Sequence, residues 1–325
     1  MIKSMDTSYV IPPVDKNLIK EELGKLPLFR KTNYGGREIY ITTAHQSPNI
    51  MREIGRLREI SFGASGGGSG TECDIDQYDV APEPHCYKQL FVYDPVDEEI
   101  VGGYRFIVGK DVFMQANGEL LSATADLFFF SDEFKQNLWP YTMELGRSFV
   151  RPEYQPTFSL RKGMYSLDNL WDGLGGLAQA MSGEVKYFFG KITMYPSMNV
   201  KARDYILYFY RKHFPDNEGL VWPREEVQIT TDYNELVKIF NGKNYKEDYQ
   251  NLLHSVRQEG ETVPPLVNAY MNLSSTMKSF GTSINKHFSC VEETGILVTI
   301  ADIYEEKRQR YMTAGNHLHG ILLTH

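Results

Sequence analysis

The sequence predicts an α/β fold: a mixed central sheet flanked by helices, with a C-terminal α/β elaboration. Helical and strand-like segments follow one another in the order helix, hairpin, strand, helix, strand, helix, and then further α/β elements. Hydrophobic residues make up 42% of the 325-residue chain and aromatic residues 13%, which is enough for a substantial core. The third observation is the segment 144–154, where a strand-like run carries two charges and stops at a proline.

Composition limits the functional classes. The net charge of −8 argues against a general nucleic-acid binder, which needs a basic surface. Three widely spaced cysteines fit a reduced compartment. The N-terminus does not have a signal-peptide pattern, and no apolar run approaches the ~20 residues that span a bilayer. We therefore expect a cytoplasmic protein, with peripheral contact at the inner face of the membrane as an addition.

The first elements follow an N-terminal extension, residues 1–35. Ser47-Pro48 predicts the start of an amphipathic helix that enters the glycine tract 63–70. Residues 87–93 and 100–108 predict a hairpin, with Gly102-Gly103 distorting its second strand. An aromatic cluster at 127–130 is predicted to lie in a loop.

The later elements complete a core spanning residues 36–215 and an elaboration spanning 216–325, either part of the same domain or a separate lobe. Apolar spacings of three and four predict a helix from Met164 to Met181. The remaining predicted elements are strands at 142–150, 187–194 and 295–301, and helices at 201–213, 264–272 and 302–312.

The strand at 142–150 places a carboxylate and a guanidinium three residues apart. In a regular strand Glu144 and Arg147 point to opposite faces. A bulge at Gly146 shifts the register by one and brings both charges to one side. It also frees backbone N–H groups, so we predict substrate contacts at Gly146 and Ser148.

This segment resembles the central strand of GNAT acyltransferases, which splays from its neighbour to admit a thioester. It is also similar to the Glu-x-x-Arg strand of two branches that use acyl carrier protein. These are the acyl-homoserine-lactone synthases and the haemolysin-like, ornithine-type N-acyltransferases. A thioester needs no nucleophilic Ser or Cys, so the resemblance implies direct attack by an amine.

Within that resemblance, the catalytic candidates are Glu144 and Arg147. Glu144 is the candidate proton acceptor, directly or through a water. The alternative is a structural role as half of an ion pair within the sheet with Arg147. Arg147 is expected to orient Glu144 or the region 74–79.

An upstream pattern resembles the N-terminal substrate motif of the lactone synthases. The resemblance implies that the carboxylates attract the ammonium of an amino-acid acceptor and that an arginine holds its carboxylate. The alternative is a solvated acidic turn, and the glycine insert departs from the lactone synthases. The matching positions are Arg58, Phe62, Asp76, Asp79 and Arg105.

A step into a helix at Arg161-Lys162-Gly163 occupies the phosphate-binding place of GNAT proteins. The glycine-rich coenzyme A signature is not clean, which favours the phosphopantetheine of a carrier protein. No bound cofactor is expected, and acyl carrier protein is the expected donor and partner. Scattered surface charge is the alternative for the basic dock, which comprises Arg151, Arg161, Lys162, Lys201 and Arg203.

Two further stretches are similar to the haemolysin-like N-acyltransferases. They are 168–193, with its Leu-Trp, Gly-Leu-Gly and Tyr-Phe-Phe-Gly elements, and 264–270. The similarity is greatest to the Bacteroidetes branch that N-acylates glycine to begin glycine-lipid synthesis. It implies a 3-hydroxyacyl carrier-protein donor.

Other signals are discounted. The Gly-x-Ser-x-Gly match at 63–67 follows a helix, whereas a nucleophile elbow follows a strand. His85-Cys86 and His287 with Cys290 lack zinc-site spacing, so no metal is expected.

We therefore expect an acyltransferase that moves a 3-hydroxyacyl chain from acyl carrier protein to a small amino acid, in amino-acid lipid synthesis. Glycine is the first choice of acceptor and ornithine the second. One alternative is a lactone-type signal synthase that uses S-adenosylmethionine. The other is a non-catalytic, haemolysin-like protein that binds acyl lipid.

Overall fold

A computed structural model describes residues 8–313 of the chain. Its main feature is one eight-stranded sheet in the order β1-β2-β3-β4-β6-β7-β10-β9, and β5 and β8 pair separately. The strands are β1 Arg30–Lys31, β2 Glu38–Thr42, β3 Lys88–Asp94, β4 Glu99–Val108, β5 Phe128–Phe130, β6 Thr142–Val150, β7 Tyr187–Met194, β8 Val221–Pro223, β9 Lys278–Asn285 and β10 Val291–Thr299. The mixed α/β class predicted from the sequence is confirmed.

The helices lie around this sheet. They are α1 Lys16–Leu23, α2 Pro48–Gly63, α3 Leu160–Gly163, α4 Ser166–Ala180, α5 Val200–His213, α6 Tyr233–Ile239, α7 Tyr245–Gln258, α8 Pro265–Met271 and α9 Glu305–Arg308. Across residues 8–313, none of them is long and apolar enough to span a membrane.

Alternate residues of the central strands pack on different helices, as the strand period requires. Leu90 and Tyr104 belong to a core cluster with α4 and α5. Phe91 and Phe149 belong to a second cluster with α1 and α2. The sheet therefore has an α4 face and an α2 face. A third cluster, rich in aromatic rings, surrounds Phe189.

The parallel pair β6 and β7 is short. It extends over three residues, and the last residues in register are Glu144 and Phe189. Both strands continue, to Val150 and Met194, without further pairing to each other along their described lengths. The two strands thus splay after Glu144 and leave a slot between them, as the resemblance of this strand to GNAT proteins predicted.

A β-bulge interrupts β6 within this splayed part. Arg105 is opposite Gly146, and Gly103 is opposite Phe149, so two residues of β6 face one residue of β4. The two bulge residues are Arg147 and Ser148, which lie opposite the single residue Tyr104 of β4. The bulge therefore begins one residue later than the predicted position, Gly146. Arg147 adopts the left-handed region with φ of 48°, which few non-glycine residues occupy.

Several elements were missed by the sequence analysis. The cluster 127–130 forms β5 instead of a loop, because it pairs with β8, which is distant in the chain. The charged stretch 216–261 contains α6 and α7, and β9 was not predicted. The predicted helix at 302–312 is regular only over α9. Both β9 and β10 extend the main sheet, through pairing of β10 with β7.

Candidate active site

Glu144 lies where β6 and β7 part, and it is 1% exposed. One carboxylate oxygen, Oε1, accepts hydrogen bonds from the backbone N–H of Thr124 at 3.0 Å and from its hydroxyl at 2.5 Å. The other oxygen, Oε2, makes no well-aligned hydrogen bond among residues 8–313, and the Tyr87 hydroxyl is the polar group that interacts with the carboxylate from the opposite side. A buried carboxylate held by one oxygen, with no well-aligned hydrogen bond at the other, is arranged to accept a proton from a substrate.

The loop 122–126 connects Glu144 to its neighbours. The backbone N–H of Ala123 donates to the hydroxyl of Tyr87 at 3.1 Å, and the Lys191 ammonium donates to the Ala123 carbonyl at 3.4 Å. Burial, the Glu144 charge and a hydrogen-bond interaction with the Glu144 carboxylate raise the pKa of Tyr87 well above its usual value, so this phenol stays protonated. Sequence analysis missed these residues, although a lysine within the apolar run 187–194 was a visible signal.

Asp126 lies at the edge of the same loop. It accepts a hydrogen bond from the Tyr78 hydroxyl at 2.8 Å. Burial raises the pKa of Asp126, although Tyr78 and the charge of Lys191 act in the opposite direction. The side chain stays partly open to solvent, so it marks the solvent side of the Glu144 site.

Arg147 does not contact Glu144. Its Nε is 2.9 Å from the Asp74 carboxylate and its Nη2 is 3.7 Å from the Asp76 carboxylate. The guanidinium also covers the ring of Phe288, with 4.2 Å between its carbon and the ring centroid. The alternative of a Glu144–Arg147 pair within the sheet is therefore wrong, and Arg147 contacts the region 74–79.

Both charges of the strand nevertheless lie on the α2 face. Glu144 is in register with Ile107, and Gly146 is in register with Arg105. Positions 144 and 146 therefore lie on the same face of the sheet as the Arg105 side chain. Arg105 and Arg147 both reach the Asp76 carboxylate. The bulge at residues 147 and 148 thus brings Glu144 and Arg147 to one side of the sheet, as was predicted for a bulge at Gly146.

The predicted acceptor-binding residues form one buried ion network. Arg58 donates to Asp79 at 3.1 Å and to the Gln89 amide oxygen at 2.5 Å. Gln89 donates in turn to Asp79 at 2.8 Å. Arg105 contacts Asp76 at 2.7 Å and Asp79 at 3.1 Å. Asp79 is fully buried, so the solvated-turn alternative is wrong for this residue.

This network already pairs the charges that the sequence analysis assigned to substrate. Burial alone would raise the pKa of Asp76, but the Arg105 and Arg147 guanidiniums outweigh it and hold the pKa at about 2. The guanidiniums of Arg58, Arg105 and Arg147 all have carboxylate partners. The network therefore fixes the loop after α2 to β4 and β6 beside the slot.

The glycine tract lies against this part of the sheet. Glu59 accepts hydrogen bonds from the backbone N–H groups of Ser69, at 2.9 Å, and Gly70, at 2.9 Å. Phe62 packs edge-on against Phe288, with ring centroids 5.2 Å apart. The glycine tract is thus a loop that hydrogen bonds hold against α2, beside the end of the slot that is farther from Glu144.

Two other predicted substrate contacts lie on different faces. Gly146 lies beside the Arg105 side chain on the α2 face, where a Cβ would be 3.5 Å from Nε. Ser148, the second bulge residue, lies beside the hydroxyl of Tyr104, which belongs to the α4 cluster. The structure therefore separates Ser148 from Glu144.

The predicted phosphate-binding step is a short helix and not the start of a long one. The chain leaves α3 at Gly163 and begins α4 at Ser166. Lys162 pairs with Asp97 at 2.7 Å, and Arg151 pairs with Glu153 at 3.0 Å. Arg161 is exposed.

Close packing explains Gly163. A Cβ at this position would lie 2.4 Å from the backbone nitrogen of Pro156, so any larger residue displaces the loop.

The other two dock candidates lie on α5. Lys201 pairs with Glu235 at 2.7 Å, and Arg203 pairs with Glu292 at 2.7 Å. A cavity of about 320 Å³ lies between α5 and β9, lined in part by Tyr210, and it includes none of the predicted site residues. No three His, Cys, Asp or Glu side chains between residues 8 and 313 are grouped as a metal site requires.

Sequence comparisons agree with this geometry. The family described as "Acetyltransferase (GNAT) domain" matches residues 57–162, a range that contains the C-terminal part of α2, the ion network and the bulged strand. The splayed sheet and this match define an acyltransferase of the GNAT class.

Two curated relatives narrow the family. A glycine N(alpha)-acyltransferase of Bacteroides thetaiotaomicron is 52% identical over 303 residues, covering 93% of this chain and 89% of the relative. A glycine N(alpha)-acyltransferase of Phocaeicola vulgatus is 51% identical over 303 residues, covering 93% of this chain and 92% of the relative. The chain belongs to the family of these acyltransferases.

A search of solved structures gives a distant neighbour, the crystal structure of the AHL synthase LasI. It is 13% identical, covers 48% of this chain and 72% of that chain, and has a TM-score of 0.26. At that score the likeness carries no weight here.

Proposed function

We propose that this enzyme transfers an acyl chain from a thioester to the α-amine of glycine. The observation that carries the proposal is Glu144, whose free Oε2 lies at the point where β6 and β7 part. The relatives named glycine N(alpha)-acyltransferase support glycine as the acceptor. Ornithine is the second choice.

The chemistry needs one base and a bound thioester. The glycine ammonium first loses a proton to solvent water, and the resulting amine attacks the thioester carbon to form a C–N bond. Glu144 takes the second amine proton, directly or through a water. The C–S bond then breaks, and the thiolate leaves and takes up a proton from solvent.

The slot between β6 and β7 suits the thioester donor. Beyond Glu144, backbone groups of β6 that face β7 have no strand partner there, along the described lengths of the two strands. One such N–H group can donate to the thioester carbonyl and stabilise the negative charge that develops on it.

We further propose that acyl carrier protein delivers the donor, as a 3-hydroxyacyl thioester. A carrier protein is acidic and needs a local basic contact on a chain of net charge −8. Lys162 and Arg151 have carboxylate partners, whereas Arg161 is exposed. Arg161 is therefore the favoured carrier-protein contact.

An exposed apolar surface supports peripheral membrane contact as part of this role. Around α3, Phe158 is 72% exposed, Leu160 76% and Met164 61%. An N-acyl amino acid with a long chain is an amphiphile. If the enzyme lies beside a bilayer, this product can move directly into the membrane, as lipid biosynthesis requires. Sedimentation with anionic vesicles tests this contact, and Leu160→Asp is expected to weaken it.

Mass spectrometry after incubation with 3-hydroxyacyl carrier protein and a panel of amino acids tests the proposed reaction. We expect N-acylglycine as the main product. Acylornithine instead would keep the mechanism and replace the acceptor. No transfer to any amino acid, from carrier protein or coenzyme A, would overturn the proposal, and a lactone formed from S-adenosylmethionine would favour the signal synthase.

A further inference from the structure

Lys191 occupies a place in the slot that the acyl-transfer step does not use. It lies on β7 two residues after Phe189, the last β7 residue in register with β6. Side chains two residues apart in a strand share a face, so Lys191 lies on the face of Phe189 and Glu144. It is half-buried at the point where the slot opens.

A single peptide group separates Lys191 from Glu144. The Ala123 carbonyl accepts from the Lys191 ammonium at 3.4 Å, and the next backbone N–H, that of Thr124, donates to Glu144 at 3.0 Å. The carbonyl and N–H of a trans peptide point in opposite directions. A cation and a carboxylate therefore flank one peptide, with loop 122–126 between them.

Lys191 also differs from the other cationic side chains near the slot in its ion pairing. Arg58, Arg105 and Arg147 are ion-paired with Asp79, Asp76 and Asp74. Within residues 8–313, the Ala123 carbonyl is the one hydrogen-bond acceptor of the Lys191 ammonium, and no carboxylate pairs with it. The Asp126 carboxylate feels its charge but lies beyond ion-pair distance.

A half-buried ammonium beside a substrate slot is suited to an anionic group of the substrate. In free glycine, one carbon joins the amine nitrogen to the carboxylate, so the nitrogen lies about 2.5 Å from the carboxylate carbon. With ordinary hydrogen bonds of about 2.8 Å at each end, a bound glycine reaches over about 8 Å, the scale of the separation across one peptide, when it lies alongside the 123–124 peptide in the slot.

We infer that Lys191 binds the carboxylate of the amino-acid acceptor and so places its amine at the free oxygen of Glu144. This inference rests on the proposed acyl transfer to glycine. It transfers the role of carboxylate ligand from the arginines that the sequence analysis chose to a lysine of β7. Since lysine acts as a point charge, it selects for the negative charge of the acceptor.

The test compares glycine with glycinamide, which has the amine but lacks the carboxylate. In the Lys191→Met variant we expect kcat/KM for glycine to fall about 10- to 100-fold, mainly through KM, as for loss of a charged hydrogen bond. Turnover of glycinamide should stay within about threefold of the wild-type value. The ratio of the two kcat/KM values does not depend on how much of the protein is folded.

Two controls sharpen the comparison. Lys191→Arg keeps the charge and should restore most of the preference for glycine. Lys186→Met removes an exposed lysine just before β7, which lies over the Tyr141 ring, and should leave the ratio unchanged.

Each outcome decides the matter. A wild-type ratio in Lys191→Met, in an enzyme that acylates glycine, overturns the role of Lys191 and leaves the proposed function standing. A wild-type protein that acylates no amino acid overturns both.

Discussion

Thr124 donates two hydrogen bonds to one oxygen of Glu144, from its backbone N–H at 3.0 Å and its hydroxyl at 2.5 Å. Both residues are buried, and the second oxygen of Glu144 makes no well-aligned hydrogen bond among the described residues. Because the carboxylate is held from one side, its free oxygen has a fixed direction. Thr124 thus orients the proposed base, Glu144, at the mouth of the slot.

Replacing Glu144 by Gln should remove the base and keep the fold, since the amide oxygen can accept both hydrogen bonds from Thr124. We expect kcat to fall about 10²- to 10⁴-fold with little change in the KM of glycine. Steady-state assays with thiol detection measure this. Glu293→Gln is the matched control, since Glu293 is a buried carboxylate of β10 that accepts from Asn285 at 3.0 Å. Wild-type turnover in Glu144→Gln would remove Glu144 from the mechanism.

Thr124 should act through Glu144. Thr124→Val removes the hydroxyl donor and keeps the shape, so we expect kcat to fall about tenfold while the KM of the donor stays constant. Thr124→Ser retains the hydroxyl and should recover most of the rate. If Val and Ser lower kcat equally, packing explains the effect and not the hydrogen bond.

Arg58 should matter for stability more than for substrate binding. Its guanidinium is fully buried against Asp79 and Gln89. Arg58→Met leaves buried acceptors without a donor, and the free energy of unfolding in urea should drop by about 3–5 kcal/mol. Arg211→Met, at a side chain 71% exposed, should change it by less than about 1 kcal/mol. A large rise in the KM of glycine without loss of stability would restore Arg58 as a substrate ligand.

The pKa of Asp76 predicts a stability change in acid. Its folded-state pKa is about 2, below the ordinary 3.8, so the ionised form stabilises the native state above pH 4. That contribution, up to about 2 kcal/mol, is lost as the pH falls from 4 to 2. Urea titrations of wild type and Asp76→Asn should therefore differ most above pH 4 and converge near pH 2. A difference that is constant with pH would exclude this ionisation as its source.

Arg161 should contribute to carrier-protein docking. Arg161→Glu reverses an exposed charge, so we expect the KM of acyl carrier protein to rise about tenfold and its salt dependence to weaken. The KM of the same acyl group on pantetheine alone should not change, because that donor has no protein surface. Arg211→Glu provides the control at another exposed position. An equal rise for both donors would place Arg161 at the phosphopantetheine itself.

Local patterns in the chain predicted much of the framework. The cap at Ser47-Pro48 predicted α2, and short runs rich in apolar and aromatic residues predicted β3, β4 and β7, because these signals act between residues close in sequence. Local patterns did not predict the elements that form only by pairing with a segment distant in the chain. β5 and β8 are three residues each and are strands only because they pair with each other.

By itself, the sequence determined the α/β class and the charged strand 144–147 with its bulge, which follow from neighbouring residues. The resemblance of that strand to GNAT proteins made Glu144 the candidate base, which stays a prediction. Only the tertiary structure decided which charges are free. Among residues 8–313, it pairs the three arginines with aspartates, pairs no carboxylate with Lys191, and turns Thr124 toward Glu144. The physical reason is that ion pairing and burial depend on distances between segments far apart in the chain, and charge order along the sequence does not encode those distances.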